Sequence, residues 1–125
     1  MRIFADLHIH SKYSGATSER MNIPELTAFA EIKGLDLLGT GDALHPRWLE
    51  ELRNDLEQAE GGLYRPKTGQ RIYFVPQVEV ATIHEYEGKA RRIHHVILMP
   101  SLEVAEQLSE ELSRFGDVAS DGRPV

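Results

Sequence analysis

The sequence predicts one α/β domain built on a parallel sheet, and three observations carry that prediction. Apolar runs of strand length alternate with helical patterns across short junctions, the arrangement of right-handed βαβ units whose strands run parallel. Polar clusters with ligating side chains follow three of these runs: His8 and His10, then Asp42, then Glu79. Ligand sites in α/β sheets gather beyond the carboxyl ends of the parallel strands, so three such clusters point to one convergent site. The length of 125 residues suits a single core.

Residues 2–7 (Arg2, Ile3, Phe4, Ala5, Asp6, Leu7) form a short apolar run of strand length that ends in Asp6-Leu7-His8-Ile9-His10-Ser11. Side chains two apart on a strand share a face, so His8 and His10 project together, about 6–7 Å apart at Cα. Two imidazoles at that spacing can grip one metal ion, although such pairs are also ordinary on exposed strands. Residues 11–20 read as a loop. Asn22 followed by Glu25 has capping-box spacing, with Pro24 in the first turn. Leu26, Phe29 and Ala30 then share a helical face, and Gly34 suits the C-terminal cap. Leu35, Leu37 and Leu38 make a second buried strand, ending in Gly39-Thr40-Gly41-Asp42.

His45-Pro46 opens another helix, with Leu49, Leu52 and Leu56 on its inner stripe and Gly61-Gly62 closing it. Residues 72–80 are a strand rich in β-branched and aromatic side chains, interrupted by Pro76, which predicts a bulge or an edge. Residues 81–86 and 90–99 flank Glu87-Gly88-Lys89, a hairpin turn. Pro100 and Ser101 introduce a third helix with Leu102, Ala105, Leu108 and Leu112 inward and a stop at Gly116. Residues 117–125 have turn composition.

Composition narrows the chemistry. The hydrophobic share of 41% and charged share of 27% are those of a soluble globular protein, and no apolar run approaches membrane-spanning length. The N-terminus shows no signal-peptide pattern, so a cytoplasmic location is expected. Without cysteine there are no thiolate sites, and a metal must be held by His, Asp and Glu. That donor set suits Zn, Mn, Fe or Mg and does not choose among them. The net charge of −6 argues against a generic nucleic-acid coat. It is uneven, however: residues 61–95 hold six Lys and Arg against three Glu, a local balance of +3 that could meet phosphates or could be ordinary solvated charge.

The ordered set Asp6-Leu7-His8-Ile9-His10-Ser11 with Tyr13-Ser14, Gly39-Thr40-Gly41-Asp42, Gln77-Val78-Glu79-Val80 and His95-Val96-Ile97-Leu98 resembles the PHP (polymerase and histidinol phosphatase) family of metal-dependent phosphoesterases. The longer match, through residues 15–17 and 41–46, looks most like the N-terminal part of the endonuclease Q group, whose members nick DNA at deaminated bases. The resemblance implies part of a distorted seven-stranded, TIM-like β/α barrel, with residues 1–125 as the N-terminal half of a PHP domain, a fragment or a natural short form. It also implies that His8 and His10 bind one divalent ion, that Glu79 bridges it to a second as the catalytic carboxylate, and that His95 serves the second. The family's Thr-Asp-His reads here Gly41-Asp42-Ala43, so Asp42 and His45 become candidates for the missing ligand, with helix capping as the alternative for His45. Ala16 stands where some relatives have a third-site histidine. Asp6 is expected to orient a histidine, His84 to lie at the surface, and at most one of His94 and His95 to face the site.

The implied substrate is a phosphate ester, with DNA as the leading candidate. The alternatives are a small phosphomonoester and, in another class, a non-catalytic binding module that retains an incomplete site. Uncovered strand edges predict self-association.

Overall fold

A computed structural model describes residues 1–15 and 18–119. Ala16, the place of the third-site histidine, lies outside the described residues, as does most of the turn-like C-terminal stretch.

The chain runs β1 (Ala5–Asp6), α1 (Ile23–Lys33), β2 (Leu37–Gly39), α2 (Pro46–Asp55), β3 (Leu56–Gln58), a 3-10 turn (Glu60–Gly62), β4 (Tyr64–Pro66), β5 (Tyr73–Val75), β6 (Gln77–Tyr86), β7 (Lys89–Leu98) and α3 (Leu102–Leu112). Among the described residues, five strands form one sheet in the order β1-β2-β5-β4-β3, while β6 and β7 pair only with each other. The contacts β1·β2 and β2·β5 are parallel, as the βαβ pattern predicts, and β4 and β3 extend the sheet antiparallel. Among the described residues this is a mixed α/β sheet with a separate hairpin; a closed barrel is not formed.

Helix α1 obeys its local signals. The Asn22 side chain accepts the Glu25 N–H at 3.0 Å, and Gly34, with φ 70°, ends the helix in the left-handed conformation. Its buried stripe is Ile23, Leu26, Thr27 and Ala30, which leaves Phe29 outside, 46% exposed beneath the Lys33 ammonium. The first strand is shorter than its apolar run because it lies at the sheet edge. Pairing begins where the Phe4 carbonyl accepts the Asp36 N–H, and Ile3 and Phe4 stay exposed.

Two boundaries move for tertiary reasons. Helix α2 stops at Asp55 rather than at the Gly61-Gly62 pair, because Leu56 turns extended and pairs with Pro66. Burying Leu56 four residues after Leu52 satisfies a helix or a strand equally, so the apolar spacing could not separate them. Pro76 divides the predicted strand 72–80 completely: β5 ends at Val75, and the chain continues into the second sheet as β6. The β6–β7 turn is tight, with Glu87 and Gly88 at φ 52° and 74° and Tyr86 opposite Lys89, a two-residue turn of type I′ geometry.

The core is one cluster. Leu38 and Phe74 on the sheet meet Ile23, Leu26 and Ala30 of α1, Trp48, Leu49 and Leu52 of α2, and Leu102 and Ala105 of α3. Helix α3 is capped by Ser101, whose Oγ accepts the Val104 N–H, and is docked where the Tyr64 hydroxyl accepts the Leu102 N–H. Leu108 and Leu112 pack against the core partly buried. No helix among the described residues is long and apolar enough to cross a membrane.

Candidate metal centre

β1 ends at Asp6, and just past it the rings of His8 and His10 lie together, centroids 5.4 Å apart. Glu79 comes to them from β6. Its Oε2 is in hydrogen-bond contact with His8 Nε2 and lies 3.4 Å from His10 Nε2, while its Oε1 lies 2.6 Å from His94 Nδ1. One ligand atom from each of His8, His10 and Glu79 falls within 4.8 Å of the others, so this group could hold a metal ion. The nitrogen–oxygen donor set fits a borderline or hard divalent cation. His8 is half exposed and Glu79 only 12%, so the cluster has a protected floor and an open side. Burial alone would push the Glu79 carboxyl up. The hydrogen bond from His8 and the proximity of His8, His10 and His94 outweigh it and hold the group below the usual carboxylate value. Glu79 is therefore an anion at neutral pH.

A buried frame sets these positions. Gln77, fully buried, receives the N–H groups of both Ile9 (3.3 Å) and Gly41 (3.1 Å) on its Oε1, tying the ends of the first two strands to β6. Its own N–H donates to Thr40 Oγ1 at 3.0 Å, and its carbonyl accepts the Ala43 N–H at 3.1 Å. The two glycines of Gly39-Thr40-Gly41 follow from this crowding. A Cβ at 39 would lie 2.5 Å from Gln77 Oε1, and one at 41 would lie 2.7 Å from the Ile9 carbonyl oxygen. Trp48 closes the back, its buried indole N–H donating to the Gly41 carbonyl at 2.8 Å. Asp6 takes the His8 N–H at 3.2 Å, which orients the histidine through the main chain.

Three of the expected ligands are placed elsewhere. Asp42 is buried, with φ 43°, and its Oδ2 accepts both the Ser11 N–H (2.7 Å) and the Ser11 hydroxyl (2.5 Å). It is a strap across the strand ends and lies outside the ligand cluster. His45 caps α2: its Nδ1 accepts the Arg47 N–H at 3.2 Å and its ring stacks on Tyr13 at 4.3 Å. Burial holds its pKa below the ordinary value, with Asp42 pulling the other way. His95 turns to the opposite face of the hairpin, where its Nε2 meets Thr82 Oγ1 at 3.0 Å, and His94 takes the place beside Glu79. The reason is register. With Glu79 opposite Val96 and Ala81 opposite His94, residues 79, 81, 94 and 96 share one face. His84 is exposed, as expected.

Sequence reasoning missed Gln77, Trp48 and the choice of His94. Only the last had a usable signal. A two-residue turn at Glu87-Gly88 fixes every later cross-strand pair, and counting back from it puts His94 with Glu79.

No protein-family model matches the chain. An uncharacterized protein of Methanocaldococcus jannaschii is 37% identical over 120 residues, covering 95% of this chain and 13% of that protein. Two solved structures share the fold. One is endonuclease Q in complex with a 27-mer duplex substrate carrying an abasic lesion at the active site, with TM-score 0.78, 34% identity, and coverage of 96% of this chain and 28% of that one. The other is the lesion-specific endonuclease PfuEndoQ of Pyrococcus furiosus, with TM-score 0.77, 29% identity, and coverage of 98% and 28%. The chain thus spans about a quarter of the endonuclease Q chains and about an eighth of the archaeal relative. In fold and in roughly a third of its residues, nearly the whole chain is similar to one segment of endonuclease Q.

Proposed function

We propose that this chain forms the N-terminal part of a PHP-type, metal-dependent phosphoesterase centre of the endonuclease Q kind, acting on phosphodiesters in DNA that carries a damaged base. The observation that carries the proposal is the convergence of His8, His10 and Glu79 from two distant parts of the sequence, in a chain similar to one segment of a lesion-specific endonuclease. His8 and His10 offer imidazole nitrogens, and Glu79 supplies the negative charge and two oxygens. One oxygen faces the His8–His10 pair and the other faces His94, the division a bridging carboxylate would need. A divalent ion held here would supply Lewis acidity to water and to a phosphate oxygen. The protein's own part is to hold Glu79 ionised, fix both histidines through Asp6 and Gln77, and leave one side open to a phosphate.

A second ion would find only His94 and one Glu79 oxygen among the described residues, so this chain alone should turn over slowly. A deficit of about 4 kcal/mol in transition-state stabilisation corresponds to roughly a thousandfold. The test is to dialyse the purified chain against Zn or Mn, count retained metal, and assay nicking of a duplex with a deaminated or abasic site. Glu79→Gln serves as the control. About one ion per chain, lost in Glu79→Gln, is the expected result. A folded wild-type chain that retains no metal overturns the proposal in favour of a non-catalytic module.

A further inference from the structure

We infer that Arg92 is a phosphate-positioning residue, and that the Glu79-bearing face of the β6–β7 hairpin is the surface that meets the DNA backbone; this rests on the proposed function above. The hairpin is long and tightly turned, ten residues on each strand around the Glu87-Gly88 turn. From Ile83 through Val96 its residues are all exposed, so the distal half stands clear of the core. Such an arm has two faces of different character. The pairings Glu79–Val96, Ala81–His94 and Ile83–Arg92 put Arg92 on the same face as Glu79 and His94. At about 3.4 Å per residue it lies roughly 7 Å beyond His94, further toward the tip. A phosphate bound by a divalent ion at the His8–His10–Glu79 centre would then leave a neighbouring phosphate of the same strand within reach of the guanidinium. Arg91 and Lys89 belong to the other face, with His84 and Tyr86 opposite them.

Charge supports the same occupant. Arg92 makes no ion pair or hydrogen bond among the described residues, whereas Arg53, Arg65 and Lys12 are each tied to a glutamate. The one acidic neighbour on its face toward the tip is Glu85, which also makes no ion pair there. A planar guanidinium suits bidentate contact with phosphate, and a phosphate contact positions the duplex without reading its sequence.

The experiment compares wild type, Arg92→Ala, Arg92→Lys and Arg91→Ala in equilibrium binding to an abasic-site duplex and to its undamaged counterpart. Salt is varied, Mn is present, and metal content is measured in parallel. Arg92→Ala should retain its metal, weaken binding to both duplexes about tenfold, and lower the salt slope by about one. Arg92→Lys should restore part of the affinity, and Arg91→Ala should change it less than twofold. Equal losses in Arg91→Ala and Arg92→Ala would show diffuse attraction and overturn the inference, as would an unchanged Arg92→Ala. A loss confined to the damaged duplex would overturn it as well, by making Arg92 a lesion reader. A metal-free wild type, or one that binds neither duplex, refutes the proposed function itself and the inference with it.

Discussion

Two of the places where the described residues bring His and carboxylate side chains close together are used by the fold in opposite ways. At His8, His10 and Glu79 the donor atoms face one another across an open side. At Asp42 and His45 the same donor types face the backbone: Asp42 takes the Ser11 N–H and hydroxyl, and His45 takes the Arg47 N–H. The lesson is that donor type does not make a ligand. A carboxylate or imidazole whose lone pairs satisfy nearby N–H groups is part of the scaffold: withdrawing Asp42 would remove a buried acceptor from Ser11, and withdrawing His45 would uncap α2. Glu79 is different: among the described residues its side-chain oxygens meet imidazoles, partners a metal ion can replace.

The strongest way to break this contrast is to exchange the predicted effects. Glu79→Gln should reduce metal affinity by about a hundredfold or more while shifting the melting temperature little, since among the described residues the carboxylate makes no backbone hydrogen bond that the amide would lose. Equilibrium dialysis alongside a thermal melt checks both halves, and retained affinity in Glu79→Gln would break the contrast from the ligand side.

Asp42→Ala should do the reverse. Removing a buried acceptor from two Ser11 donors costs about 3 kcal/mol, or roughly 10 °C in melting temperature, with metal affinity changed by no more than about tenfold. Chemical denaturation resolves a loss of that size. Should the variant melt normally and lose all metal, Asp42 would be a ligand after all.

Gln77→Leu sharpens the comparison by loosening the frame that serves the site. Two backbone N–H groups lose their shared acceptor, and a loss of about 2 kcal/mol is expected together with a metal affinity lower by about tenfold. A stability loss with unaltered metal binding would show that the frame does not set the ligand geometry.

The smallest effect concerns His45. Burial depresses its pKa in the folded chain below the ordinary 6.5, so over that interval the unfolded chain binds more protons. Its contribution is therefore complete above pH 6.5 and is lost as pH falls through the depressed value; protonation also removes the lone pair that accepts the Arg47 N–H. His45→Asn keeps a good N-cap without a titrating ring. The stability difference between wild type and His45→Asn should shift against wild type as pH drops below 6.5. Parallel curves across that range would show that the ring stays neutral or is exposed.

Local signals in the sequence determined much of this protein. The Asn22 cap, the Gly34 stop, the Ser101 cap and the Glu87-Gly88 turn are decided by backbone groups within a few residues; each lies where the sequence puts it, except that Lys89, read as part of the turn, already pairs with Tyr86 in β7. The parallel β1·β2 pairing follows from strand, helix and strand separated by short junctions, while His8 and His10, two residues apart, come together just past the end of β1. Tertiary structure alone decided where α2 yields to β3, because Leu56 is buried by either conformation and only pairing with Pro66 selects one. It also decided that Gln77 would hold two strand ends, and that Asp42 and His45 would be absorbed by the backbone. Those outcomes depend on which N–H groups come within about 3 Å of a side chain, a distance set by packing between segments more than thirty residues apart for Asp42 and Gln77. His45 shows the short-range version, absorbed by the first turn of its own helix.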